Sequence, residues 1–515
     1  MRVLVTGSHT RLGAALTRAL AASHDVRPLL ADPRDRGIAE ANGTHTDAIV
    51  HLIPAAGDGS PEDALEAIDR ATRGTYNLLT TAVARRMVLV TSLRPFERYP
   101  AAWAVDERWA PRPAATAADL TPYLAEVTAR EVTRVRPIEV VALRLGEVVS
   151  DSEVARGAID SQSLHIDDAV QAVERALAME MGEGEASPRW HVFHIVDGGP
   201  FPRFPLAFAA RPPLGYAPRH QLTVSATAPV EAAPPPAPAP PPDAGGAVRR
   251  VVIFGAGGPL GAVTATALAP DHELRLTDAR PLAEIAAGPP QSPGAPLPQA
   301  LPAPHESVVV DITDPVQVAA AVAGMDAIVN CTVMRRDPVE AFRVNLLGAL
   351  NVMRAAVTHS IRRVVQTGPV LTLLGHPSGY GADVAIVPEA PPRPGDNLYF
   401  VTKLLGQEVC RIFAEEHGLE VPALLFCNFV NPSLPLADPL DLAPFTISWD
   451  EAGAAMRQAV RVPSLPRPFE VLHVNADLPQ GVYPNEKAKR LLDWQPRDRL
   501  ERYWRRDAGP APADE

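Results

Sequence analysis

The chain has 515 residues, 46% of them hydrophobic, and a formal net charge of −12. This length exceeds what one hydrophobic core can organise and predicts two or three domains. The acidic balance excludes nucleic acid and anionic membrane surfaces as main partners, because long-range fields would draw it to neither.

No apolar run approaches membrane-spanning length, and the N-terminus enters a strand with no room for a leader segment. Cys331, Cys410 and Cys427 lack metal-ligand spacing. A cytoplasmic protein with reduced core cysteines and no metal site is therefore expected.

Residues 1–13, MRVLVTGSHTRLG, predict a strand, a turn and a helix. The same outline returns at 251–261, VVIFGAGGPLG, where four apolar residues fit a strand covered on both faces and a helix follows from Leu260 to about Ala269, stopped by Pro270. Between the two, residues 231–246 are nearly pure Pro and Ala, a composition suited to an extended spacer rather than a core.

Later landmarks also repeat in order. Asp47-Ala48-Ile49-Val50 matches Asp326-Ala327-Ile328-Val329, and Val88 to Ser92 matches Val364 to Gly368. Leu164 to Val170 matches Thr446 to Ala452. Strands alternating with helices at this pitch predict an α/β fold with one doubly wound parallel sheet per half. Only 16 residues, 31–46, separate the second strand of the first half from its Asp-Ala-Ile-Val landmark. The second half has room there for a Pro-rich insertion, 281–304, and a further strand and helix, so the first sheet is expected to lack one βα unit.

Gly255, Gly258 and Gly261 are expected to share one role, which is to let a pyrophosphate approach backbone N–H groups and the positive helix terminus. Tyr399 and Lys403 stand four residues apart, on one face of a helix. A nearby ammonium would favour the phenolate of a tyrosine, whose unperturbed pKa is about 10, and make it a general acid/base. That spacing arises often by chance, and its position beyond a fifth-strand candidate, 363–367, in a chain with a glycine turn is what gives it weight.

With these motifs the second half, about 249–505, resembles an extended short-chain dehydrogenase/reductase of the NAD-dependent epimerase/dehydratase superfamily. Further matching elements are Asp278, Asp311-Ile312-Thr313-Asp314, Asn345 in R-V-N-L-L-G, Thr367 and the closing Leu492-Asp493-Trp494-Gln495-Pro496. The resemblance implies that the turn, with Pro259 and Leu260, holds the cofactor. It also implies that Asp278 binds the adenosine ribose and so favours NAD over NADP, that Asp311 and Ile312 border the adenine, that Lys403 holds a ribose, and that Tyr399, Lys403, Thr367 and Asn345 form the catalytic group. Where the family offers a Ser or Thr past the fifth strand, this chain reads Gln366-Thr367-Gly368-Pro369; Thr367 is the candidate and Thr372 the reserve. The compact stretch after Asn428 resembles the hexuronate dehydrogenase branch and implies a small sugar-like substrate.

The first half resembles the same family in damaged form. Thr10 stands at the middle glycine, Leu30 at the position of Asp278 with Asp32 as a substitute two residues on, and Val127 at the position of Lys403, while Tyr123 and Thr91 or Ser92 survive. The resulting expectation is a degenerate Rossmann domain over 1–225, a linker over 226–247 and an NAD-binding domain over 248–515. The helices around 122–136 and 398–416 would pair as an intramolecular pseudo-dimer, with a homodimer as the alternative. The functional expectation is a dehydrogenase or epimerase/dehydratase, set against a non-catalytic dinucleotide-binding regulator or scaffold.

Overall fold

The computed structural model describes residues 1–57, 59–157, 159, 162–180, 188–198, 203–220, 222, 248–370, 385–434 and 442–504. The chain divides into two compact units, Met1–Ala237 and Pro238–Glu515. Their division falls within 223–247, so the expected linker lies outside the described residues.

Unit one is built on strands β1 (Arg2–Thr6), β2 (Asp25–Leu29), β3 (Ala48–Leu52), β4 (Arg86–Ser92) and β5 (Glu139–Leu145), a short pair β6 (Glu147–Val149) and β7 (Ser163–His165), and β8 (Trp190–Ile195). The main sheet runs β2-β1-β3-β4-β5-β8, with every pairing parallel. Unit two has β9 (Arg250–Phe254), β10 (Glu273–Asp278), β11 (Glu306–Val309), β12 (Ala327–Asn330), β13 (Arg363–Pro369), β14 (Val421–Phe426), the short pair β15 (Asn428–Val430) and β16 (Thr446–Ser448), and β17 (Phe469–His473). Its main sheet runs β11-β10-β9-β12-β13-β14-β17, again parallel throughout. Both are doubly wound α/β sheets whose strand order reverses beside the first strand, where a crevice opens at the carboxyl ends.

Unit two has the additional edge strand expected for it. In unit one, residues 31–46 form only the helix Arg36–Gly43, and its sheet has six strands. The acidic residue before each Ala-Ile-Val strand binds backbone. Asp47 accepts from Arg2 N at 2.8 Å, and Asp326 accepts from Arg250 N at 2.8 Å. Each carboxylate thus satisfies an N–H at the start of the first strand. Asp47 is held down to about 2, first by its hydrogen bond from the Arg2 side chain.

The cores are aliphatic. Val3, Val5, Val50 and Val141 meet Leu16 and Leu20 in unit one, and Val251, Ile253, Val329 and Val365 meet Leu268, Met456 and Trp494 in unit two. Among the described residues no helix is long and apolar enough to cross a membrane.

One close approach fixes each first helix. A Cβ on Gly261 would overlap the Gly255 carbonyl, and one on Gly13 would overlap the Gly7 carbonyl. Gly261→Ala is expected to lower the unfolding free energy of unit two by roughly 1–3 kcal/mol. At Gly258 a Cβ meets nothing nearer than 3.5 Å, so Gly258→Ala stays within about 1 kcal/mol. Denaturant unfolding of both variants checks the contrast, and equal losses would reject it.

Candidate functional site

The turn after β9 gives its glycines different roles, which corrects the single shared role expected of them. Gly255 has φ +78° and lies against the backbone of Cys331 and Thr332, 2.9 Å from where a Cβ would stand. Gly261 lets the helix Pro259–Leu268 pack on the turn. Only Gly258, the N-cap of that helix, has room for a Cβ, whose nearest neighbour would be the Gly255 carbonyl oxygen at 3.5 Å, and no side chain caps it. Gly257, which stands outside the glycine spacing, donates its N–H to Asp278 Oδ2 at 3.0 Å. Asp278 therefore braces the turn as well as ending β10.

Unit one has the same turn backbone but fills it differently. Thr10 caps its helix: its hydroxyl accepts from Gly13 N at 3.0 Å and donates to Gly7 O at 2.8 Å. The side chain is thus folded into the turn and takes up an N–H group. Register places Leu29 beside Thr6 and Thr277 beside Phe254, so Leu30 does correspond to Asp278, and it is 79% exposed. Asp32 is bound by Arg34 Nη2 at 2.6 Å, a contact that argues against it as a substitute. Beside Val127, Glu126 is buried, accepting from Thr91 Oγ1 at 2.7 Å and pairing with Arg144 at 2.7 Å.

In unit two, Asn397 caps the helix Leu398–His417 by accepting from Tyr399 N and Phe400 N, which fixes Tyr399 in the first turn and Lys403 one turn later. Lys403 is buried, and its Nζ donates to the carbonyls of Thr332 at 2.7 Å and Thr367 at 3.3 Å. Burial pushes this ammonium down to about 8.

The expectation that Lys403 lowers the Tyr399 phenol needs correction. Burial raises that hydroxyl, and the cation opposing the rise is the guanidinium of Arg335. Arg335 Cζ stands 5.1 Å from the Tyr399 ring centroid.

Two further assignments change. Thr367 Oγ1 donates to Asn330 O at 2.8 Å, so its proton is committed to the neighbouring strand. Asn345 is buried with both side-chain ends engaged: Nδ2 donates to Met334 O at 2.7 Å and to Thr402 Oγ1 at 2.9 Å, and Oδ1 accepts from Met334 N at 3.0 Å. It ties Met334 to the Tyr399 helix. Thr372 lies outside the described residues. Asp311 is exposed and accepts from Thr313 N at 2.9 Å, while Ile312 is buried against Gly348.

A cleft of about 580 Å³ brings Gly258, Pro259, Leu260 and Gly261 together with Thr367, Tyr399 and Lys403. Asp278, Asp311, Ile312 and Asn345 are not among its lining residues. Its walls also carry Arg335, Gln291, Ser292 and Phe429, none of which belongs to a motif legible in the sequence. Phe429 stacks on Trp449 at 4.1 Å and 4°, giving a flat apolar face opposite the polar groups. Cys427 also lines the cleft and is part-exposed, so it is not the core residue expected; Cys331 and Cys410 are buried. No carboxylate lines the cleft among the described residues, and its two charged groups are both cations.

Elsewhere, His165, Asp167 and His220 place potential ligand atoms within 4.8 Å of one another. His165 Nδ1 already accepts from Asp167 N at 3.2 Å as a helix cap, and its ring stacks on His220 at 3.7 Å, so packing accounts for the group.

Residues 251–440 match the NAD dependent epimerase/dehydratase family. A uronate dehydrogenase of Pseudomonas syringae pv. tomato is 26% identical over 271 residues, which are 52% of this chain and 88% of that protein. An L-arabinose 1-dehydrogenase (NAD(P)(+)) of Haloferax volcanii is 28% identical over 183 residues, 33% of this chain and 64% of that protein. The solved structure of uronate dehydrogenase from Agrobacterium tumefaciens is 26% identical with a TM-score of 0.41, covering 52% of this chain and 93% of that one. These matches cover about half of this chain or less.

Removing the guanidinium leaves burial unopposed at the phenol. Arg335→Met is therefore expected to move the Tyr399 ionisation to higher pH in an absorbance titration, with Tyr399→Phe assigning the signal. An unchanged midpoint would reject Arg335 as the governing cation.

Proposed function

We propose that unit two is an NAD-dependent oxidoreductase acting on a hydroxyl or carbonyl of a small sugar-like compound, either as a dehydrogenase or as an epimerase/dehydratase. The observation carrying this reading is the convergence, in one cleft, of an uncapped helix N-terminus at Gly258 with Tyr399 and Lys403. The site fits a dinucleotide: Gly258 lines the cleft with no side chain over the helix terminus, and Asp278 ends the neighbouring strand with a carboxylate for a ribose. That carboxylate repels a 2′-phosphate and favours NAD over NADP. Bound NAD supplies the hydride acceptor.

The chain supplies the rest. Tyr399 takes the hydroxyl proton as phenolate, and Arg335 favours the ionised form against the effect of burial. Lys403 holds the Thr332 and Thr367 carbonyls and so shapes the floor between β12 and β13. Asn345 fixes the Arg335 stretch to the Tyr399 helix. Phe429 and Trp449 offer an apolar wall to the less polar face of a sugar ring.

Unit one, in this reading, is a degenerate relative arising from a tandem duplication, inactive because Thr10 occupies its helix terminus and Val127 stands at the position of Lys403. Its role is structural, as the partner in a pseudo-dimer. A non-catalytic dinucleotide-binding regulator is the second reading, favoured by one observation: the Thr367 hydroxyl is committed to Asn330.

NADH titration of the full chain, followed by turnover on uronates and aldoses, tests both. Gly258→Val is expected to weaken NADH binding at least about a hundredfold, since a β-branched side chain would fill the phosphate position. Lys403→Ala is expected to retain measurable NADH binding and lose turnover. Binding that survives Gly258→Val rejects the cradle, and tight binding without turnover on any substrate selects the regulator.

A further inference from the structure

Residues 281–304, between β10 and the edge strand β11, form a Pro-rich insertion that has no counterpart in unit one and packs against the core of unit two. Leu282 and Leu301 lie against the core at its two ends, and Ala295 is buried in between. It leaves the sheet beside the glycine turn, where Ile285 touches the position a Cβ on Gly257 would take.

Its crest is a turn over 292–295, in which Ala295 N donates to Ser292 O at 3.0 Å and Gly294 has φ +74°. Gly294 faces a second turn, 431–434, closed by Leu434 N donating to Asn431 O at 3.1 Å. A Cβ on Gly294 would stand 2.6 Å from Leu434 Cδ1 and 3.1 Å from Asn431 Cβ. That second turn directly follows β15, whose Asn428 and Phe429 also line the cleft. The insertion therefore links the glycine turn to the chain that leaves β15.

Gln291 and Ser292 line the cleft together with Gly258, Pro259 and Leu260. Those three cradle residues have no side-chain donor, and Pro259 has no N–H either. Gln291 and Ser292 add an amide and a hydroxyl to the lining that those residues share.

Resting on the cofactor reading above, we infer that Gln291 and Ser292 bind the dinucleotide pyrophosphate from its solvent side. The contact between the 292–295 and 431–434 turns latches them there, and the cofactor leaves when that contact opens. The chain therefore retains its nucleotide longer than an open crevice would.

Stopped-flow release of NADH from the full chain, displaced by excess NAD, tests this. Gly294→Val drives a β-branched side chain at positive φ into Leu434, and Leu434→Ala removes the same contact from the other side, so a folding defect in one variant does not decide the outcome. Both are expected to release NADH about tenfold faster than wild type. Gln291→Ala with Ser292→Ala is expected to weaken NADH affinity about tenfold while leaving the affinity for adenosine, which has no phosphate, unchanged. Release within about twofold of wild type in both latch variants overturns the latch. An equal loss for adenosine and NADH overturns the pyrophosphate contact. Failure of wild type to bind NADH overturns the cofactor reading itself, and is distinguished by the absence of any release signal.

Discussion

The arrangement depends on a contact that admits no side chain, the seat of the helix Pro259–Leu268 on the Gly255 carbonyl at Gly261. It brings the helix terminus to the carboxyl end of β9, and a relay of contacts runs outward from there. Gly255 lies against Cys331 and Thr332, just past β12. The Thr332 carbonyl receives the Lys403 ammonium, which also reaches the Thr367 carbonyl on β13. Three neighbouring strands are thus tied at one end through a backbone turn and one amine, and Tyr399 is placed by the helix that brings the amine.

Unit one keeps the opening of that relay and closes the rest. Gly13 seats on Gly7 as Gly261 does on Gly255. The turn there is satisfied internally by Thr10, and the strand-end hydroxyl of Thr91 is bound to Glu126. The Thr10 and Thr91 hydroxyls thus both have partners within the unit, as buried polar groups require.

Features set by local backbone constraint were legible in the sequence. The glycine turns, the helix carrying Tyr399 and Lys403, the acid before each Ala-Ile-Val strand and the shortfall of one strand in unit one all follow from spacing and chain length. Roles that depend on contacts between distant segments were not. Thr367 faces Asn330, and Asn345 faces Met334 and Thr402, partners that no periodicity reveals. Arg335 sits in a Met-Arg-Arg-Asp stretch without any motif, and only the placement of the Tyr399 helix brings it to the phenol. The insertion was legible in composition, but its packing was not, because that depends on Leu282 and Leu301 being met by the core at its two ends.

The buried amine of Lys403 also makes unit two a proton-linked fold. Its pKa stands near 8 in the native protein against an ordinary value of 10.5. Between those limits the unfolded chain holds a proton that the native chain has released, so stability rises with pH across that window and is flat below it. At neutral pH the native state carries this ammonium at a disadvantage on the order of 3 kcal/mol, the free-energy equivalent of the shift. An aliphatic residue of similar length at 403 removes that disadvantage along with the tie between β12 and β13. The residue that gives the cleft its floor is therefore one the fold would hold more firmly without its charge.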